Sequence, residues 1–296
     1  MAASPFFPKL PSGWTTEFID IANKTISLRI YRSADLSQGR FLYLVHGQAE
    51  QSDRYEHFPH YLQGVVDAVI CVDLPGHGKS LGVRGHIENF DEYSTAVLNG
   101  FQAAFEWMKQ NSNASVQAHW FGHSLGGLIT LRALLKESNL PLQSVTVSAP
   151  LLDLALPVPK LKRLFGELVE PLLGSLKLSN ELNGDLISHD PEVAKAYHGN
   201  QLNHNFVTPR FFVSMMKEMP LTRNNSGPFA YNLFVIVPLA DQIVSWKACL
   251  QFFKQLQMKE GKKKVLTSFP GFFHESFNEL GKERAFVALS DWLNKT

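Results

Sequence analysis

Cysteine is nearly absent from this chain: two in 296 residues, Cys71 and Cys249, each inside an apolar run. Two sulfurs so far apart make neither a disulfide framework nor a metal-site spacing, so both read as small core residues. No apolar run approaches the ~18 residues that a membrane-crossing helix needs. The first fourteen residues hold prolines and lack the apolar segment of a secretory leader. Charge of one sign is lacking too. Lys and Arg number 28 against 27 Asp and Glu, a formal net charge of +1. No overall field draws in nucleic acid, and none is expected as a partner. Repeats, low-complexity tracts and linkers are missing. What is present, 45% hydrophobic and 19% charged residues, is the composition of a globular, cytoplasmic protein with one large core.

Short β-branched or aromatic runs predict strands at Ile26–Tyr31, Phe41–Val45, Ala68–Val72, Val116–Phe121, Val145–Ser148, Leu233–Val237 and Val265–Phe269. Helical patterns separate most of them. Asn89–Gln110 is the clearest, with Tyr93, Val97, Phe101, Phe105 and Met108 on one face. Ser245–Leu256 and Glu283–Leu293 follow the same period. Such alternation predicts an α/β fold, a mostly parallel sheet covered by helices on both faces. From about Ala155 to Gly227 strand signals cease, and helix-length pieces are punctuated by Pro157, Pro171, Pro191, Pro209 and Pro220. The expected organisation is a core of residues 1–154 and 231–296, with a helical cap inserted at 155–230.

The run from His119 to Ala133, H-W-F-G-H-S-L-G-G-L-I-T-L-R-A, places Ser124 where a strand hands over directly to a helix. A turn that sharp crowds its neighbours, so the residues two before and two after the serine must lack a Cβ. Gly122 and Gly126 meet that demand. A serine hydroxyl is a weak nucleophile that needs a positioned base, itself oriented by a third group. In open α/β sheets, residues just beyond the strand C-termini share one crevice. Beyond Leu233–Val237 comes Asp241, and beyond Val265–Phe269 comes His274. The order Ser124, Asp241, His274 is that of the α/β-hydrolase arrangement. An acyl-transfer enzyme also needs two backbone N–H groups facing the oxyanion. Leu125, after the serine, supplies one, and Gln48, in the glycine turn after Phe41–Val45, is the best candidate for the other.

The runs H-G-Q-A-E-Q-S-D-R-Y (46–55), D-L-P-G-H-G-K-S-L-G-V-R-G (73–85) and G-H-S-L-G-G (122–127) resemble the monoacylglycerol lipase and lysophospholipase group of α/β-hydrolases. S-H-D-P-E-V-A-K-A-Y (188–197) and G-F-F-H-E-S-F-N-E (271–279) are similar as well. The likeness covers roughly residues 26–293 and is weakest at 156–184. It implies Ser124 as nucleophile, Asp241 as acid, His274 as base, and Gln48 and Leu125 at the oxyanion hole, with no metal or organic cofactor. The implied substrate is a lipid ester with a single acyl chain. Two positions depart from the group's pattern. Pro238 stands where a glycine usually precedes the acid by three, which bears on the loop holding Asp241. Phe272 stands where a small residue is usual, and is expected to narrow the pocket near the histidine.

Competing readings attach to several residues. His46, His77 and His123 read as hydrogen-bonded structural histidines, since His274 already fills the role of base. Asp153 is the rival acid. D-L-P-G-H-G-K-S resembles a phosphate loop, but Asp73 occupies the place of its first glycine, where no side chain is tolerated. Lys160–Glu170, with Leu161, Leu164, Phe165 and Leu168 on one side, reads as an amphipathic cap helix covering the site, with contact to a membrane or micelle as the second reading. The remaining alternatives are a short-chain or aryl esterase, an aminopeptidase of this fold, or a silent scaffold that only binds ligand.

Overall fold

The computed structural model describes residues 10–21, 25–156, 158, 160–179, 184–225 and 227–296, with backbone alone for 160–165 and 167. In chain order the elements are β1 (Trp14–Ile21), β2 (Ile26–Ser33), β3 (Arg40–Val45), α1 (Phe58–Leu62), β4 (Ala68–Asp73), α2 (Asp91–Asn111), β5 (Gln117–His123), α3 (Leu125–Lys136) and β6 (Leu142–Ser148). Then follow α4 (Lys160–Leu173), β7 (Leu178–Ser179), α5 (Pro191–Gly199), β8 (Phe206–Val207), α6 (Pro209–Arg223), β9 (Asn232–Pro238), α7 (Trp246–Gln255), β10 (Lys264–Phe269) and α8 (Glu283–Asn294). Eight strands form one sheet in the order β1-β2-β4-β3-β5-β6-β9-β10. β2 pairs antiparallel with β1 and β4, and the other neighbours are parallel. This is the α/β-hydrolase fold expected from the sequence.

The central strands are apolar throughout because both of their faces are covered. Alternate residues of one strand go to opposite clusters. Tyr43, Val45 and Trp120 pack with Phe101 of α2, Leu128 of α3 and Phe252 of α7. Leu42, Leu44 and Phe121 pack with Phe58 of α1 and Phe286 and Leu289 of α8. Cys71 and Cys249 are buried free thiols, one in each cluster. Because β3 lies between β4 and β5, the chain reverses its direction of travel across the sheet there. Loops leaving the C-terminal ends of β3 and β5 therefore diverge and leave a crevice at that point.

Between β6 and β9 the chain departs from the helical pattern expected of it in one respect. β7 and β8 pair antiparallel, Leu178 with Val207 and Ser179 with Phe206. Two-residue strands are too short for a period-2 signal to register. β1 was also not legible, since most of its residues are exposed or half-buried and it reads as polar as a loop. α5 and α6 begin as their sequences dictate, with Asp190 and Thr208 as N-caps and Pro191 and Pro209 in the first turn. The cap-helix reading at Leu161, Leu164 and Phe165 falls on side chains outside those described. Leu168 is exposed.

Candidate active site

β5 ends at His123 and α3 begins at Leu125, leaving Ser124 alone to make the turn. It does so at φ 53°, ψ −117°, a conformation that side-chain-bearing residues rarely adopt. The flanking glycines are a steric necessity. A Cβ on Gly122 would lie 2.5 Å from Thr130 Oγ1 and 2.6 Å from the Gly126 carbonyl oxygen, and one on Gly126 would collide with the carbonyls of Val45 and His46. Ser124 N–H donates to Ser148 O at 3.0 Å, and Ser124 O accepts from both Leu128 N and Leu151 N. The elbow is thereby fixed to β6 and to the loop beyond it.

The later strands bring the other two groups together. His274 Nδ1–H donates to Asp241 Oδ2 at 2.7 Å, and both residues are buried. Asp241 Oδ1 accepts from the amides of Ile243 (2.8 Å) and Val244 (2.9 Å), which fixes the carboxylate's orientation. Burial pulls the His274 imidazole down, but Asp241, then Glu275 and Glu50, outweigh it and leave its pKa raised above 6.5. The His123 ring lies 4.8 Å from that of His274, so the residue preceding Ser124 packs directly on the imidazole.

Pro238 and Phe272 disturb none of this. Leu239 N donates to Phe269 O (3.1 Å) and Ala240 N to Phe272 O (3.0 Å), tying the Asp241 loop to the His274 loop. The Phe272 ring is buried and stacks on Phe269 with centroids 4.9 Å apart. It belongs to the core cluster that also holds Phe269 and Phe277.

The turn after β3 borders the serine. A Cβ on Gly47 would come within 3.3 Å of Ser124 Cβ, so glycine permits that approach. Gln48 follows in the turn, and both polar atoms of its carboxamide are buried without a hydrogen-bond partner among the described residues. Leu125 opens α3, so its amide has no acceptor within the helix.

The residues read as structural sit in structural settings. His46 Nδ1–H donates to Gly47 O (2.7 Å) while Nε2 accepts from Leu74 N (3.0 Å), a pairing that uses the neutral ring. Burial pushes His123 down to about 4 and His77 well below 6.5. Asp153, half-exposed, pairs with Arg223 instead of a histidine. In the glycine-rich 73–80 turn, Asp73 fills the concavity itself, accepting from Ser52 N and Lys79 N at 2.8 Å each. A carboxylate occupies the place a phosphate would need. Three residues drew no attention in the sequence, Glu50, Arg54 and Glu275. In the sequence they are three charged residues among several in the 46–55 and 271–279 runs, with nothing to set them apart.

A family model described as serine aminopeptidase, S33 matches residues 38–281. An uncharacterized abhydrolase domain-containing protein of Dictyostelium discoideum is 28% identical over 254 residues, which are 85% of this chain and 26% of that protein. The chain thus spans about a quarter of that relative. Phospholipase YtpA of Bacillus subtilis is 25% identical over 251 residues, covering 83% of this chain and 91% of its own. The crystal structure of a monoacylglycerol lipase from Paleococcus ferrophilus superimposes with a TM-score of 0.76 at 24% identity, covering 95% of this chain and 98% of the other.

Proposed function

The chain belongs to the serine aminopeptidase, S33 family, and from that premise we propose that it hydrolyses lipid esters carrying one acyl chain, monoacylglycerols or lysophospholipids. It is a carboxylic ester hydrolase of the α/β-hydrolase fold. In the proposed mechanism Ser124 Oγ attacks the ester carbonyl while His274 Nε2 takes its proton. Asp241 holds the opposite nitrogen and stabilises the imidazolium. The tetrahedral oxyanion is received by the Leu125 and Gln48 amides. Collapse expels the alcohol, protonated by His274, and leaves an acyl group on Ser124. Water, deprotonated by the same imidazole, then releases the fatty acid and restores the serine. The observation carrying this reading is the 2.7 Å Asp241–His274 pair at the end of the sheet where Ser124 holds its strained turn.

The lipid substrate is supported by the motifs shared with monoacylglycerol lipases and by the phospholipase relative. The aminopeptidase reading follows from the family's description, and that chemistry needs a free carboxylate for the substrate's ammonium group. Among the described residues the buried carboxylates that act on His274 are already engaged, Asp241 by His274 and two amides, Glu50 and Glu275 by Arg54, and Glu279 beside them accepts from Phe273 N. Residues 155–230 serve as a cap in this account. Leu168, Leu172, Leu173, Leu176 and Leu178 are exposed there, Leu172 at 88%, and they suit transient contact with a lipid surface. A panel of monoacylglycerols, lysophospholipids, aryl acetates and amino-acid anilides tests the assignment. Long-chain glycerides should be preferred, and preferential anilide cleavage would overturn it.

A further inference from the structure

A buried ion cluster lies against the reacting groups, and no step above uses it. Glu50 Oε1 accepts from Gly47 N (2.5 Å) and from the Tyr55 hydroxyl (2.8 Å), and Oε2 accepts from Arg54 Nη1 (2.5 Å). The same guanidinium forks onto Glu275, Nη1 to Oε1 and Nη2 to Oε2, each at 2.7 Å. Asn278 Nδ2 donates to Glu275 Oε2 (2.8 Å), and Glu275 N–H donates to Ile187 O (2.9 Å). Arg54 also lies 5.1 Å from the Tyr197 ring of α5. Glu50, Arg54 and Glu275 are each no more than 6% exposed.

A buried ion pair is a poor way to gain stability, because desolvation consumes most of the Coulombic gain. Its placement here suggests another use. One end grips the amide of Gly47, the residue before Gln48. The other end is the residue after His274. The cluster therefore spans the two loops whose relative position decides whether oxyanion donors and base meet the same substrate atoms. Misplacement by about 1 Å costs on the order of a hundredfold in rate. Its charge matters as well. Two carboxylates against one guanidinium leave one negative charge in a buried site, and neutral His123 does not cancel it.

We propose that Glu50, Arg54 and Glu275 form a positioning clamp that holds the oxyanion loop against His274 and, through one excess negative charge, favours the imidazolium formed as Ser124 attacks. This rests on the ester-hydrolase mechanism above. The charged and titratable groups facing His274 are Asp241 from the loop after β9, Glu50 from the loop after β3, His123 from β5 and Glu275 from its own loop, with Arg54 behind the two glutamates. The raised His274 pKa agrees, since Glu275 and Glu50 both push it upward.

The test is the pH profile of kcat/KM on a water-soluble short-chain aryl ester, with melting temperatures measured alongside. Glu275→Gln keeps the shape and removes the charge. Its acid limb should move down by about one pH unit, the effect of one charge a few ångströms away in a partly screened site. Arg54→Lys keeps the charge and loses the fork. It should leave the acid limb in place and lower kcat at least about tenfold with KM changed less than threefold. If Glu275→Gln does not fold, Glu50→Gln probes the same charge from the other loop. An unmoved acid limb in the folded glutamine variants, or full kcat in Arg54→Lys, overturns the clamp. A wild-type protein lacking Ser124-dependent hydrolysis overturns the enzymatic reading and the clamp together.

Discussion

Ser124 holds a backbone conformation costing on the order of 1–3 kcal/mol, and the surrounding hydrogen bonds to Ser148, Leu128 and Leu151 keep it there. Strain of this kind separates two substitutions at one position by their stability. Ser124→Ala keeps the strain and should lose on the order of 10⁴ to 10⁶ in turnover. Ser124→Gly should be as inactive yet melt higher than Ser124→Ala, because glycine takes φ 53° without a Cβ penalty. Equal melting points would mean the elbow stores no strain. For the acid, Asp241→Asn should fold and lose on the order of 10⁴ in turnover, while Asp153→Asn, which disturbs only a half-exposed pair with Arg223, should stay near wild type. His274 must be neutral to act as base. With its pKa raised, kcat/KM should fall as pH drops through a midpoint above the ordinary 6.5, and a midpoint below 6.5 would contradict the charge environment described.

At the scale of elements, what the sequence made legible was periodicity and steric demand. α2 repeats its apolar face over 21 residues, long enough for a 3.6-residue period to dominate. Gly122, Ser124 and Gly126 point to an elbow because they stand between an apolar strand run and a helical period, and a Cβ at either glycine would collide with its neighbours. Asp241 and His274 could be found because each directly follows an apolar strand. The clamp could not, because Arg54 and Glu275 stand 221 residues apart and only the closing of the sheet brings their loops together. β1, β7 and β8 were hidden for a different reason: short or edge strands bury too little for the alternation to show. The exposed leucines from α4 to β7 lead to an element-level prediction. Leu172→Asp should depress hydrolysis of monoacylglycerol in micelles or vesicles and leave a monomeric short-chain ester unaffected. Equal losses on both substrates would mean damage to the fold and no surface contact.

Seven of the chain's eleven histidines are buried: His46, His57, His77, His119, His123, His204 and His274. Burial pushes His57 and His119 down to about 3 and His123 and His204 to about 4. Each has a folded pKa below its unfolded 6.5, so between about 4 and 6.5 the unfolded chain binds more protons. Stability therefore rises with pH across that window and is lost as pH falls through it. His77 is lowered by burial as well, so His274, with the opposite sign, is one group against five. The melting temperature should be clearly lower at pH 5 than at pH 7.5, and a flat profile would contradict the neutral, buried state of these rings. The proposed mechanism singles out one serine, Ser124, as the nucleophile. Labelling with a long-chain alkyl fluorophosphonate, located by peptide mass spectrometry and followed by monoacylglycerol hydrolysis, tests that most directly. A single phosphonyl group is expected on Ser124, its attachment slowed by monoacylglycerol, with activity lost in proportion to labelling. A label on another residue, or full labelling of Ser124 with hydrolysis intact, would contradict it.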